Sequence, residues 1–152
     1  MRVVDAAYSA GLIDGDGSIG FHRHRHNRFP SFAVRVEIFN KDLNLLLSVR
    51  SLWGEVGGIR RRQSKGTYLK SKSIHTLSVE GAIAIPILEQ ILPFLILKRD
   101  NAERCLLYWR ELRGNRNKIP SDELIERRLQ LIRGSNQSIN LDAFEIVSVP
   151  GR

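Results

Sequence analysis

Between Ala10 and Ile19 the sequence reads AGLIDGDGSI, and no other stretch so narrows what the chain can fold into. Ahead of it the period is helical: Val4, Tyr8 and Leu12 fall on one face, and Ala7, Gly11 and Gly15 recur every fourth residue on another. The second stripe is nearly bare. A glycine inside a helix costs about 1 kcal/mol relative to alanine, so Gly11 among good helix formers predicts close approach of another backbone. Gly15 and Gly17 predict the helix exit, leaving Asp14 and Asp16 at the C-terminal end, where the macrodipole disfavours carboxylates. Two readings fit that spacing. One is a buried N-terminal helix followed by an ordinary Asp-Gly turn. The other is a metal site, in which a bound cation stabilises acids held at a costly position.

From Ser18 the period falls to two, with Ile19 and Phe21 on one face and Ser18, Gly20, His22, His24 and His26 on the other. Asn27 to Pro30 turns the chain. Ser31 to Phe39 alternates again, placing Phe32, Val34, Val36 and Ile38 inward and Ser31, Ala33, Arg35 and Glu37 outward. Asn40 is expected to cap a helix that begins with Lys41 and Asp42 and ends at Gly54. Ile59, Arg60 and Arg62 begin a third strand, and Ser73 to Val79 form a fourth with Leu77 and Val79 inward and Thr76 and Ser78 outward. Ile83, Ile87, Leu88 and Ile91 have helical spacing, with Pro86 at a kink or near the first turn and Pro93 as the stop. Further helices are expected from Phe94 to Arg113, carrying Leu97, Cys105, Leu106 and Trp109, and from the Ser121 region to Gly134. This order predicts one α+β domain over residues 1–152, with a four-stranded antiparallel sheet and helices on one face.

The net charge is +8, and its distribution matters more than its size. From Arg23 to Lys72 there are twelve Lys or Arg against three acids, while the remainder is nearly neutral. A segment so lopsided, on strands, predicts a nucleic-acid footprint. A twisted ribbon of strands fits the DNA major groove, where every base pair shows a distinct pattern of donors and acceptors. Arg35 suits guanine and Glu37 suits the cytosine amino group, while Ser18, His22, His24, His26, Ser31, Thr76 and Ser78 can read several edges. Arg28 joins that set. Lys65, Lys70 and Lys72 are expected on phosphates, and Arg60 and Arg62 on phosphates or bases. Three imidazoles on one strand lie about 6–7 Å from neighbour to neighbour, which is wide for one ion, so His22, His24 and His26 are read as DNA contacts or solvated side chains rather than metal ligands. Arg110, Arg113, Arg116 and Lys118 fit either flanking phosphates or a solvated helix surface.

A single cysteine, Cys105, excludes a disulfide framework and Cys-based zinc sites. No apolar run is long enough to span a bilayer and no leader pattern opens the chain, so an intracellular protein without a membrane partner is expected.

With helix, acidic turn and basic sheet in place, AGLIDGDGSI resembles the signature of the LAGLIDADG homing endonucleases. Ser9 stands for the leading leucine and Gly15 for the second alanine. The segment ILPFLILKRDNA resembles the family stretch that follows the fourth strand. The resemblance implies the αββαββα LAGLIDADG fold with additional C-terminal helices. It also implies that two motif helices pack against each other. One motif copy then means a homodimer, with an interface built from Ala7, Gly11 and neighbours, Asp14 included, and a near-palindromic double-stranded DNA target.

The implied reaction is metal-dependent hydrolysis of both strands of DNA, by a protein encoded within an intron or intein-like mobile element. The family pattern assigns Asp16 and the carbonyl of Gly15 to the metal, with Mg²⁺ as cofactor, Mn²⁺ as substitute and Ca²⁺ binding without cleavage. It assigns Asn40 to ordering water and Lys98 to developing charge. Asp14 is expected to hold turn geometry or to meet the partner's helix. A basic position of the family falls near Asn44, so that role is either missing or supplied by Lys41 or Arg62. The host, a prokaryotic nucleoid or an organelle, is left open. Two alternatives share the fold: a maturase that binds intron RNA, and a non-catalytic DNA-binding regulator.

Overall fold

Helix α1 (Val3–Asp16) passes into strand β1 (Gly17–His24) with no residue between them. The structure, a computed structural model, describes residues 1–24, 31–62, 74–114 and 122–133. Strand β2 (Ser31–Asn40) returns beside β1, helix α2 (Leu43–Leu52) follows, and β3 (Gly58–Arg62) and β4 (Ile74–Glu80) complete the sheet. Helices α3 (Ala84–Ile91), α4 (Arg99–Gly114) and α5 (Asp122–Arg133) come after it. The sheet order is β1-β2-β4-β3 and every pairing is antiparallel.

Alternation along the strands sorts the two faces. Ile19, Phe21, Val34, Val36, Ile38, Leu77 and Val79 are buried against the helices. They meet Ala6, Ala10 and Ile13 of α1, Leu46 and Val49 of α2, and the apolar residues of α3 and α4 in one core. Paired residues share a face, so the register also defines the opposite surface. Ser18 lies across from Glu37, Gly20 from Arg35 and His22 from Ala33, while Glu37 faces Ser78, Phe39 faces Thr76 and Arg60 faces Thr76.

The helix-to-strand junction depends on Gly17. Its backbone is extended (φ −117°), so no left-handed conformation is involved. Space is the constraint: a β-carbon there would sit 2.7 Å from the Glu37 carbonyl oxygen and 2.7 Å from the Ile13 Cα. Gly15, expected to help end the helix, instead lies within it, and a β-carbon on Gly15 or Gly11 would meet nothing within 4 Å. The backbone that Gly11 was expected to accommodate is therefore not found within this chain's described residues.

Val4 and Tyr8 are exposed, because α1 buries the face carrying Ala6, Ser9, Ala10 and Ile13. Two further expectations are corrected. The cap of α2 is Asp42, whose carboxylate accepts from the amides of Asn44 (2.8 Å) and Leu45 (3.4 Å); Asn40 instead accepts from the Asp42 amide (2.9 Å). α4 begins at Arg99 rather than Phe94, leaving Leu97 77% exposed. The expectation started a new helix directly after Pro93, whereas Pro93 sits in a 3₁₀ turn after which Leu95 is extended.

Two contacts bind the helical layer to the rest. Ser9, which occupies the motif's apolar first position, is fully buried and accepts from the Trp53 indole Nε1 at 3.1 Å. Tyr108 of α4 packs edge-on against Phe21 (4.9 Å between ring centroids) and donates its hydroxyl to the Phe32 carbonyl at 3.2 Å. Cys105 lies beside it, its thiol pushed up to about 12 by burial.

The junction generates a test. Gly17→Ala should destabilise the protein by about 1–3 kcal/mol, through overpacking against backbone that cannot give. Gly15→Ala, in open helical space, should leave the folded subunit as stable or more stable by about 1 kcal/mol. Chemical denaturation of the two variants checks this, and equal losses would contradict it.

Candidate nucleic-acid interface and acidic centre

The end of α1 gathers the chemistry. Asp14 and Asp16 both lie in its last turn, where free carbonyl groups add negative potential. The two acids have different surroundings. The Asp14 carboxylate accepts from the Ile96 amide through Oδ2 (2.7 Å) and from the Lys98 amide through Oδ1 (3.0 Å). Burial opposes its ionisation, but the amides of Ile96, Lys98 and Leu97 and the nearby Lys98 ammonium together hold its pKa below the ordinary value. Asp16, by contrast, is exposed at the final helical residue.

Lys98 completes this arrangement. Its Nζ donates to the Asp14 carbonyl oxygen at 2.6 Å, which places a cation at the negative pole of α1. The segment between α3 and α4 is thus fastened to the motif helix at three points, two through a side chain and one through the backbone oxygen of the same residue. Asn40 reaches the same end of the molecule from β2, two residues past the Gly17–Ile38 pair. Its side-chain oxygen is taken by the Asp42 amide, leaving its amino group as donor. Lys41 and Asn44, near the absent basic position, are both exposed.

Hard oxygen donors are present for a divalent cation: the Asp16 carboxylate and the carbonyl of Gly15, which is exposed. Their chemistry fits Mg²⁺, Mn²⁺ or Ca²⁺ better than a soft metal. Among the described residues no group of three His, Cys, Asp or Glu side chains converges on a metal position.

On the open sheet face, Ser18, His22, Arg35, Glu37 and Ser78 are partly accessible and Arg60 is exposed. Thr76 shares that face by register, yet only 8% of it is accessible, flanked by Phe39 and Arg60 on the neighbouring strands. It is a poorer contact candidate than its outward position implies. His24, Ser31 and Arg62 occupy outward register positions at the far strand ends. His26, Arg28, Lys65, Lys70 and Lys72 lie outside the described residues. Arg35 was expected to stand ready for guanine, but it is already engaged: Nη2 is 2.5 Å from Glu80 Oε1 and Nη1 is 3.6 Å from Glu37 Oε1. Glu80 escaped the sequence reading because the fourth strand was ended one residue early. Ala7 and Gly11 are exposed on α1, and beyond its last turn Ile96 and Leu97 project from the fastened segment, 84% and 77% exposed.

The comparisons with known proteins agree on the architecture. No family sequence profile matches the chain, and no curated protein sequence does. Solved structures do match. The homing endonuclease I-CvuI, in complex with its target in the presence of Ca, superposes with a TM-score of 0.66 at 21% identity, over 90% of this chain and 87% of that one. An archaeal intron-encoded homing endonuclease complexed with DNA gives 0.65 at 15% identity, over 86% and 80% of the two chains. The LAGLIDADG meganuclease I-AabMI, bound to uncleaved DNA, gives 0.62 at 19% identity, covering 88% of this chain but 46% of that one. The chain has the α+β fold of the LAGLIDADG homing endonucleases, the family its AGLIDGDGSI segment resembles.

The Asp14 clamp has a pH signature. Because its folded pKa is lowered, its contribution is complete above the unfolded carboxyl range, about pH 4, and is lost as pH falls through the folded value. Asp14→Asn should cost about 1–3 kcal/mol at neutral pH, since an amide cannot serve both N–H donors as a carboxylate does. The difference between wild type and variant should shrink in acid, below about pH 4. Urea unfolding at several pH values measures it, and a pH-independent difference would contradict the clamp.

Proposed function

We propose that the protein is a homodimeric, site-specific endonuclease that hydrolyses both strands of a long, near-palindromic DNA target with the help of a divalent cation. One observation carries the reading. The motif helix delivers an exposed Asp16 to the end of a one-sided sheet whose other face is polar, and Lys98 is fastened to the last turn of the same helix. The DNA complexes of proteins with this fold support it.

Asp16 and the Gly15 carbonyl would hold a Mg²⁺ ion, which when bound would supply a polarised water and charge neutralisation for an in-line displacement; Mn²⁺ would replace it, and Ca²⁺ would bind without supporting the reaction. Asn40, its oxygen occupied by the Asp42 amide, presents its amino hydrogens to orient water. Lys98, anchored on the Asp14 carbonyl, keeps further N–H donors for charge that develops at the phosphate. The sheet holds the duplex, with Ser18, His22, Arg60 and Ser78 on its exposed side.

The surface of α1 supports a second copy in this reading. The motif supplies one Asp16, and among the described residues no cluster of three His, Cys, Asp or Glu side chains completes a metal site around it. Exposed Val4, Ala7, Tyr8 and Gly11 form an apolar helix face with no neighbour against the Gly11 Cβ position. Two such faces packed across a two-fold axis bring both Asp16 residues together.

Two measurements test the proposal. Asp16→Asn should keep its affinity for a duplex selected from a randomised library, while Mg²⁺-dependent cleavage of that duplex falls at least about a hundredfold; undiminished cleavage would refute the assignment. Gly11→Leu should shift the protein from dimer to folded monomer in analytical ultracentrifugation, its circular dichroism unchanged. A wild type that sediments as a monomer bound to DNA would contradict the dimer.

A further inference from the structure

The central strands of the open sheet face carry a cluster of three charges that the cleavage chemistry does not use. Arg35 on β2 lies across from Glu80 on β4, and Glu37 is on the same face two residues along. The Arg35 guanidinium contacts the Glu80 carboxylate at 2.5 Å through Nη2 and approaches Glu37 to 3.6 Å through Nη1. Its Nε is buried with no hydrogen-bond partner among the described residues. On the other side, Gly20 of β1 faces Arg35 and carries no side chain, so the residue paired with Arg35 on that strand places no side chain over the fork.

Two features decide what such a group can meet. The cluster holds one cation and two anions, so its net charge of about −1 disfavours a phosphate. The guanidinium is nonetheless held in place, and a planar fork of five donors, only part of it used by carboxylates, retains N–H groups for an acceptor pair. Guanine presents two acceptors, O6 and N7, to the major groove, and the Arg fork matches them. A lysine in this place would supply charge without that geometry.

We propose that Glu80 is a positioning residue that orients Arg35 to select a guanine at one symmetric place in each half of the DNA target. The inference rests on the endonuclease reading for its ligand and on the Arg35–Glu80 contact for its content. Gly20 is three residues along β1 from Gly17, about 10 Å at the rise of a strand, so the selected base lies on the inner part of each half-site. Glu80 acts through Arg35 and touches no base itself.

The test is a binding selection from a fully randomised DNA duplex library, run with wild type, Glu80→Gln, Arg35→Lys and Arg35→Ala in Ca²⁺. Wild type should enrich a site with one guanine per half, preferred by roughly ten- to hundredfold over other bases. Glu80→Gln should lose most of that preference at that position alone. Its affinity for non-specific duplex should rise, because a negative charge has been removed from the DNA face. Arg35→Lys should behave likewise, keeping overall affinity while the guanine preference disappears. Loss of fold would instead lower affinity at every position, and thermal melting of each variant reads that separately. Unchanged guanine preference in Glu80→Gln, or preference lost evenly across the site, overturns the inference and leaves the endonuclease reading intact. Enrichment of no sequence by the wild type overturns both.

Discussion

Everything at the acidic end of this molecule depends on a junction with no spare residue. Where α1 becomes β1, the Gly17 position is walled by the Ile13 backbone on one side and the Glu37 carbonyl on the other, with no room for a methyl group. This contact fixes the helix against the sheet as a rigid strut would. It sets the Gly17–Ile38 register, which places Asn40 near the helix end and orders the outward positions of β1 and β2. A longer connection would let Asp16 drift relative to the sheet. The geometry of the site is therefore inherited from packing in the backbone.

Electrostatics then separates two acids that the sequence presents as near equivalents. Asp14 is consumed by structure: amides of a distant segment occupy its carboxylate, and its own carbonyl holds the Lys98 ammonium. That ammonium also answers the negative pole of α1, which would otherwise penalise the second acid. Asp16 is left exposed and available. The same device carries Ile96 and Leu97 outward, so the segment that positions Lys98 also presents apolar side chains to whatever packs against it.

Much of this was legible in the residues, for reasons that can be named. The period of two in β1, β2 and β4 predicted which side chains are buried, because a strand's alternation is fixed by its pleat. The acids' place at the helix end followed from the glycines. The helix cap was misplaced by two residues, since Asn40 and Asp42 are both good caps and only the backbone direction at the end of β2 chooses between them. Leu97 was drawn into a helix because apolar spacing persists through residues 95–98, where tertiary bonds to Asp14 override it. The buried Ser9 and Trp53 pair, 44 positions apart, and the Arg35–Glu80 contact between strands carry no local signal. The bare stripe of α1 predicted a close backbone partner, and within the described residues it faces open space.

The proposed endonuclease reading would use these parts together: a helix end with hard oxygen atoms, a lysine secured to that helix, and a polar sheet face. The most direct measurement incubates the purified protein with the DNA of its own coding locus, rejoined without the proposed intron, in Mg²⁺ and in parallel in Ca²⁺. The account predicts a double-strand break at one position in Mg²⁺ and binding without a break in Ca²⁺. Intact DNA in Mg²⁺, with tight binding to the transcript of that locus instead, would contradict it.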